Sequence, residues 1–510
     1  MKKNIAISLE ELLYYLMLSV LLFTKGIGLE EGSWLFRGCL ILGISFYCVK
    51  LAVGKYSFSQ LIVMTVLVIW GISTFLITGT LGMFIYMLMI TGMKNIPLKR
   101  VFKVGTWVWG GSFFLTTTLA IFFDRTGVRL VHEKLGMGPL IRESLGYTHP
   151  NVLHVTYIVL MLFVLYLCRE RGKKLFTIIA LLLIGDMYVF LYSVSYTGLL
   201  ISFVALGIYF YFIYRKEIGS TEKLLIQLIL PICLLMSIIL PPLLSNEGIV
   251  YKMLNVAMNN RIWAIQTFFD TYPLTLFGMS SEGIKYSLDN SYVYALMSYG
   301  VSFLVIMPFV YFSMIRFFLK KDYRMELMVI CTLLIGGLSE PYLFNTSIKN
   351  ISVFLIGYFL FQQIRGEEKV TLGLIKNKVV EFNLEPKCNF KVLWQNVNKR
   401  QIVTAFLLIG VVSWFVVSMR YDGIDEVYAD EKYCDCEGET VSLPKEIDDN
   451  KILYIGDISP NINYYYFNSE NSKLIQIMNY RKKLSICLYV AGLGSIIAAG
   501  VSRIKRKVGE

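Results

Sequence analysis

Phe58–Thr78 reads FSQLIVMTVLVIWGISTFLIT, twenty-one consecutive positions without a charged side chain. A helix rises about 1.5 Å per residue, so about 20 apolar residues match the ~30 Å hydrocarbon layer of a bilayer. The stretch is read as a membrane span. Carried outward along the chain, the same ruler gives candidate spans near 5–24, 34–53, 58–78, 80–97, 102–123, 152–168, 175–193, 197–214, 224–244, 296–318, 325–340, 347–364, 401–419 and 484–502. The fold class expected is an all-α polytopic integral membrane protein. It would be a bundle of about 14 transmembrane helices with long extracytoplasmic loops.

Composition agrees. Hydrophobic residues make up 56% and charged residues only 17% of the 510, against about 25% charged in average soluble domains. A mean hydropathy of +0.59 over such a length cannot be gathered into one soluble core. The net charge of +13 would suggest nucleic acid in a soluble protein, but here no nucleic-acid partner is expected, because loops kept in the cytoplasm collect Lys and Arg. With the N-terminus inside, Lys50 and Lys55, Lys94 with Lys99 and Arg100, Arg169–Lys174, Arg215-Lys216, Lys320-Lys321, the stretch 365–400 and the tail Arg503–Lys507 all fall on one side. Arg481-Lys482-Lys483 is the exception. Both termini are thus expected in the cytoplasm. The run Leu12–Phe23 follows Glu10 and Glu11 and precedes no small-residue cleavage site, so it is read as a retained first span.

Three segments are then long and outward: Asp124–Asn151, Ser245–Asn290 and the acidic Tyr421–Lys483. The chain divides into a membrane domain, 1–365, with outer loops 124–151 and 245–290; a basic cytoplasmic linker, 366–400; and a two-span appendage, 401–510, enclosing the acidic outer segment 421–483. The nine cysteines form no disulfide framework. Most lie in apolar runs, where Cys behaves as a small hydrophobe. Cys434 and Cys436 lack the further ligands a metal would need.

The two membrane-domain loops carry the candidate chemistry. The first places Arg125, Arg129, Arg142 and His149 outside, against the positive-inside trend, and an anionic ligand is the obvious reason. In the second, Arg261 and Trp263 open an amphipathic helix that Tyr272-Pro273 ends. Gly278 and Gly283 bend the connection, and Asp289-Asn290 start the next helix as cap residues.

Arg142, Gly146, His149, Pro150 and Asn151, then Ser193-Val-Ser195-Tyr196-Thr197, then Arg261, Trp263, Gly278, Asp289, Asn290, Tyr292 and Gly300 occur in an order that resembles the O-antigen and capsular polysaccharide polymerases (Wzy-type). These belong with the O-antigen ligases in one superfamily. The resemblance spans roughly residues 1–365. Tyr196 stands where many members carry Arg. Asp289 stands where many ligases carry His, which leans toward polymerase.

The resemblance implies a glycosyltransferase that joins oligosaccharide repeat units held on polyprenyl pyrophosphate at the outer face of a bacterial cytoplasmic membrane. Membrane lipid, a chain-length regulator and a flippase are the partners it implies. The residues suit that chemistry. Arg261 and Arg142, with Arg125 and Arg129 in reserve, would meet phosphate, because guanidinium stays ionised and binds it bidentately. Asp289 and His149 are candidates for taking the acceptor hydroxyl's proton. Trp263, Asn290 and Tyr292 are candidate substrate contacts. No cofactor or metal is expected, since no suitably placed Asp-x-Asp or nucleotide-cradling loop occurs. The alternatives are a ligase that passes glycan to another acceptor, and a flippase for the same lipid. A flippase would place ionisable groups near the bilayer midplane, where Asp186 is the plain acidic residue.

Overall fold

The computed structural model describes the chain apart from residues 1–2, 124, 126, 134–137, 170–171, 259, 281–287, 365–369, 372–376, 385–398, 437–439, 443–450, 457–462, 470–472 and 509–510. Gly283 and most of the basic linker lie outside the described residues.

Helices occupy the apolar stretches in turn: α1 (Leu9–Gly26), α2 (Trp34–Val53), α3 (Phe58–Thr78), α4 (Gly82–Thr91), α5 (Leu98–Phe122), α6 (Pro150–Leu167), α7 (Lys173–Ser193), α8 (Tyr196–Tyr214), α9 (Ser220–Leu234) with the short α10 (Leu240–Leu243), α13 (Ser291–Lys320), α14 (Arg324–Gly336), α15 (Ser352–Gln363), α16 (Lys399–Arg420) and α17 (Lys473–Val508). Two more, α11 (Ile249–Ala257) and α12 (Arg261–Thr271), lie in the loop before α13. Among the described residues, eight are long and apolar enough to cross a membrane: α2, α3, α6, α7, α8, the α9–α10 pair, α13 and α16. The chain is a helical membrane protein.

Helix ends follow local chemistry. Ser57 and Gln60 form a reciprocal capping box at the start of α3, and Gly79, with φ +74°, ends it in the left-handed conformation that costs glycine least. Large side chains such as Leu76 (76% exposed) and Phe309 (70%) face outward from the bundle, as lipid-facing positions must. The short α14 is apolar on nearly every face and packs against α6, α8, α9 and α13. It sits at the centre, consistent with a helix that has no polar stripe to show to solvent.

Strands qualify the expected domain division. Strand β1 (Lys3–Ser8) takes the first residues of the expected first span and pairs with β6 (Val379–Leu384), while β2 (Lys55–Tyr56) pairs with β5 (Val370–Thr371). The loop between α5 and α6, expected to face outward, carries a hairpin, β3 (Arg129–Glu133) and β4 (Pro139–Glu143). In the acidic segment, β7 (Glu426–Asp430), β9 (Thr440–Val441), β10 (Ile452–Ile455) and β11 (Tyr464–Asn468) form a sheet of order β10-β7-β11-β9. The remaining strand, β8 (Cys434–Asp435), instead joins the hairpin, pairing parallel with β3 through Val131↔Cys434 and His132↔Asp435. Val131 and Ile141 share a buried apolar core with Val427, Ala429, Ile455, Leu474 and Ile475. Arg481, 5% exposed, donates to the Ile141 carbonyl at 2.6 Å. The appendage is built onto this hairpin, and Arg481, which stood against the charge trend, helps to fasten it.

Candidate active site

Side chains alternate along the β3–β4 hairpin, as pleating requires. Val131 and Ile141 turn into the core shared with the appendage. Leu130, His132 and Arg142 turn the other way and line a cavity of about 480 Å³. Its other walls include His149, Asn151, Ser195, Tyr196, Thr197, Arg261 and Asp289. Four of the residues singled out from sequence, Arg142, His149, Arg261 and Asp289, therefore meet in one place.

Four helices begin at this cavity. His149 caps α6, Ser195 caps α8, Arg261 is the first residue of α12, and Asn290, following Asp289, caps α13. The first turn of a helix leaves N–H groups without intrahelical partners, and its dipole end is positive. Together with two guanidinium groups, such ends favour a bound anion.

Arg142 is held on both sides of its guanidinium. Nε donates to the Ser193 carbonyl at 2.8 Å and Nη2 to Asn151 Oδ1 at 2.6 Å. Burial pulls it down to about 10, so it stays charged at neutral pH. The Ser193 carbonyl is accessible because α7 stops at Val194, whose φ of +42° and ψ of 43° are rare for a β-branched residue. Beyond that break the Ser195 hydroxyl accepts from the Gly198 amide at 3.3 Å and starts α8. Behind it, His154 lies 3.1 Å from Ser193 Oγ and 3.1 Å from Asp186 Oδ1, and the Ser202 hydroxyl donates to the same oxygen at 2.7 Å. Asp186 thus has two neighbours and is not among the residues lining the cavity.

Arg261 lies 3.5 Å from Glu340 Oε1 and 3.7 Å from Asp289 Oδ2. Glu340 belongs to the loop 337–351 between α14 and α15. It also accepts from the Thr197 hydroxyl at 3.0 Å, tying α8 to α12. Burial pushes this carboxyl up to about 7, partly offset by the Arg261 charge. On the same loop, burial pulls Lys349 down to about 7, partly offset by Glu340, and its Nζ donates to the Val152 carbonyl at 3.2 Å. His149 Nδ1 accepts from the Asn151 amide at 3.1 Å. Its neutral form therefore carries the ring proton on Nε2.

The other sequence candidates fall elsewhere. Arg125 is exposed, and Arg129 pairs with Glu143 at 3.8 Å. Trp263 is half-exposed on α12. Asn290, 1% exposed, spends its side chain on capping Tyr292 and Val293 and on bonds to Ser237 and the Leu338 carbonyl. Tyr292, 2% exposed, donates to the Leu334 carbonyl at 2.7 Å. These two hold α13 against the central helix; neither lines the cavity. Glu340, Lys349 and His132 went unremarked in the sequence, and Asp435 counted there only as an isolated acid outside any Asp-x-Asp pattern. A lone acid at the end of an apolar run was the available signal for Glu340.

The chain matches no family model, no curated protein and no solved structure. Geometry and residue chemistry carry the functional reading.

Proposed function

We propose that the chain is a polysaccharide polymerase, a glycosyltransferase that joins polyprenyl-pyrophosphate-linked oligosaccharides into a surface polysaccharide. In this reading about fourteen helices cross a bacterial cytoplasmic membrane with both chain ends inside, and the cavity opens at the outer face. The supporting observation is that Arg142 and Arg261, from separate loops, line one cavity at which four helix N-termini converge.

A sugar on pyrophosphate already has a good leaving group. The site's task is to stabilise the charge that grows as the pyrophosphate departs. Pre-placed donors at such a charge contribute on the order of 3–4 kcal/mol each. Arg142, fixed by Ser193 and Asn151, and Arg261, fixed by Glu340 and Asp289, need little reorganisation to do this. The acceptor hydroxyl passes its proton to a base lining the same cavity, for which Asp289 supplies a carboxylate and His132 an imidazole. His149, with Nδ1 taken by the α6 cap, offers an N–H to a sugar or phosphate oxygen.

The test is to replace Arg261 with Ala and with Lys, confirm membrane levels, and resolve the surface glycan by length. Single-repeat glycan supports polymerisation. Glycan that is polymerised but left on its lipid points to a ligase. Loss of lipid-borne glycan from the outer face points to a flippase, and an unchanged ladder removes Arg261 from the mechanism.

A further inference from the structure

We infer that His132 and Asp435 form an imidazole–carboxylate dyad, and that His132 takes the proton from the acceptor hydroxyl, with Asp435 of the appendage as its positioning residue. The inference rests on the glycosyl-transfer reading and assigns the step that reading leaves between Asp289 and His132.

His132 lines the cavity, and its Nδ1 lies 2.8 Å from Asp435 Oδ2. A carboxylate at Nδ1 fixes the tautomer, leaving Nε2 as the basic nitrogen. This is the arrangement in which a carboxylate orients an imidazole for general-base work. The backbone enforces the pairing, because His132 and Asp435 are register partners in the parallel β3–β8 ladder. On the hairpin, Arg142 faces Leu130 and His132 faces Leu140. Arg142 and His132 are therefore diagonal neighbours on one face, about 7–8 Å apart in backbone terms, and both line the same cavity. Asp289, by contrast, lies against Arg261, where its charge holds the guanidinium. His149 has Nδ1 occupied by the Asn151 amide.

The step balances. As the acceptor oxygen's electron pair forms the bond to the anomeric carbon, its O–H bond breaks and the proton moves to His132 Nε2. The bond from the anomeric carbon to the phosphate oxygen breaks, and its electron pair leaves on the pyrophosphate. The imidazolium then returns its proton to water or to the released pyrophosphate. Asp435 is 80% exposed and His132 19%, so the carboxylate orients the ring from the solvent side while the ring faces inward.

The groups around the imidazole bear on its titration. Asp435 and the adjacent Glu133 bring negative charge beside the ring, while Arg142 on the same hairpin face and Arg261 elsewhere on the cavity lining bring positive charge. The base must be neutral to act, so turnover falls as pH drops through the pKa of His132. Removing the Asp435 charge moves that fall to lower pH.

The experiment uses the full-length chain in vesicles with lipid-linked repeat units extracted from cells lacking it, and follows chain growth from pH 5 to 8. His132→Gln should lose about 10²–10⁴ in turnover at nearly unchanged KM and should lose the acid limb of the profile. Asp435→Asn should lose less and shift that limb to lower pH, with Asp435→Glu restoring much of the activity. His132→Gly should regain turnover, saturably, on adding free imidazole, which a merely structural histidine would not allow. A His132→Gln chain that keeps both rate and acid limb, while Asp289→Asn abolishes the limb, overturns the dyad alone. A wild-type chain inert on these lipids overturns the transfer reading and the dyad's role with it.

Discussion

Glu340 is the buried charge on which the site's electrostatics turn, and replacing it with Gln has an effect whose sign can be worked out. Gln keeps the size and an acceptor for Thr197 but carries no charge. Glu340 faces Arg261 from α12, Thr197 from α8, Asp289 before α13 and Lys349 on its own loop. Burial opposes its ionisation more than Arg261 favours it, so the folded pKa rises from the ordinary 4.5 to about 7. Between those values the folded chain holds a proton that the unfolded chain has released. Its contribution is whole below pH 4.5 and falls as pH rises toward 7. A rise of that size makes the loss on the order of 3 kcal/mol. Glu340→Gln has no such step. Thermal unfolding of the detergent-solubilised full-length chain, followed by tryptophan fluorescence from pH 4.5 to 8, should show the wild type losing ground to the variant as pH rises. A difference that stays flat, or that widens in favour of the wild type, would mean that attraction to Arg261 outweighs burial. The reasoning would then be refuted.

Other substitutions probe separate parts of the argument. Arg142→Lys should shorten the glycan nearly as severely as Arg142→Ala, because an ammonium cannot reach Ser193 and Asn151 together while offering a flat face to phosphate; glycan length on gels reads this. Asp186→Ala should destabilise the chain by about 3–5 kcal/mol by stripping His154 and Ser202 of a buried partner, with Asp186→Asn milder in the same unfolding assay. Asn290→Ala should cost about 1–2 kcal/mol for the lost α13 cap and leave Ser237 short of a partner. Arg481→Ala should loosen the appendage from the hairpin, seen as faster protease cleavage within 421–472 at unchanged membrane level.

The fold was legible wherever burial and hydrophobicity speak the same language. Phe58–Thr78 starts and stops where its apolar run does, because Ser57 caps one end and Gly79 the other. The helix opened by Arg261 ends at Tyr272, before Pro273, as proline's missing N–H requires. The hairpin in the first outer loop was not anticipated, since strands of five residues beside long apolar runs leave little periodic signal. Gly278 was read as a bend in its loop and Gly300 drew notice only through family likeness; the structure supplies the reason for both. Both have positive φ, and their backbones cross so closely that a Cβ on Gly300 would lie 2.5 Å from the Gly278 amide nitrogen.

The site was legible to the extent that its residues broke a rule. Arginines in a loop expected to face outward break the charge bias, which drew attention to Arg142, while Arg261 stood out as the opening residue of a helix in the second loop. Residues that acquire meaning only from a distant partner break no rule. Glu340 is an ordinary acid until Thr197 and Arg261 are brought to it from two other helices. His132 and Asp435 are unremarkable apart, with some three hundred positions of chain between them, and become a pair only because β8 leaves its own sheet to extend the hairpin. The same pairing makes the appendage a part of the hairpin's fold. A unit that needed only to sit near the membrane domain would have no cause to bury Val131 and Ile141 in its core. Nor would it need to donate Arg481 into the very strand that carries Arg142. Tension on that junction is tension on the guanidinium, so the two parts of the chain share the geometry of one cavity.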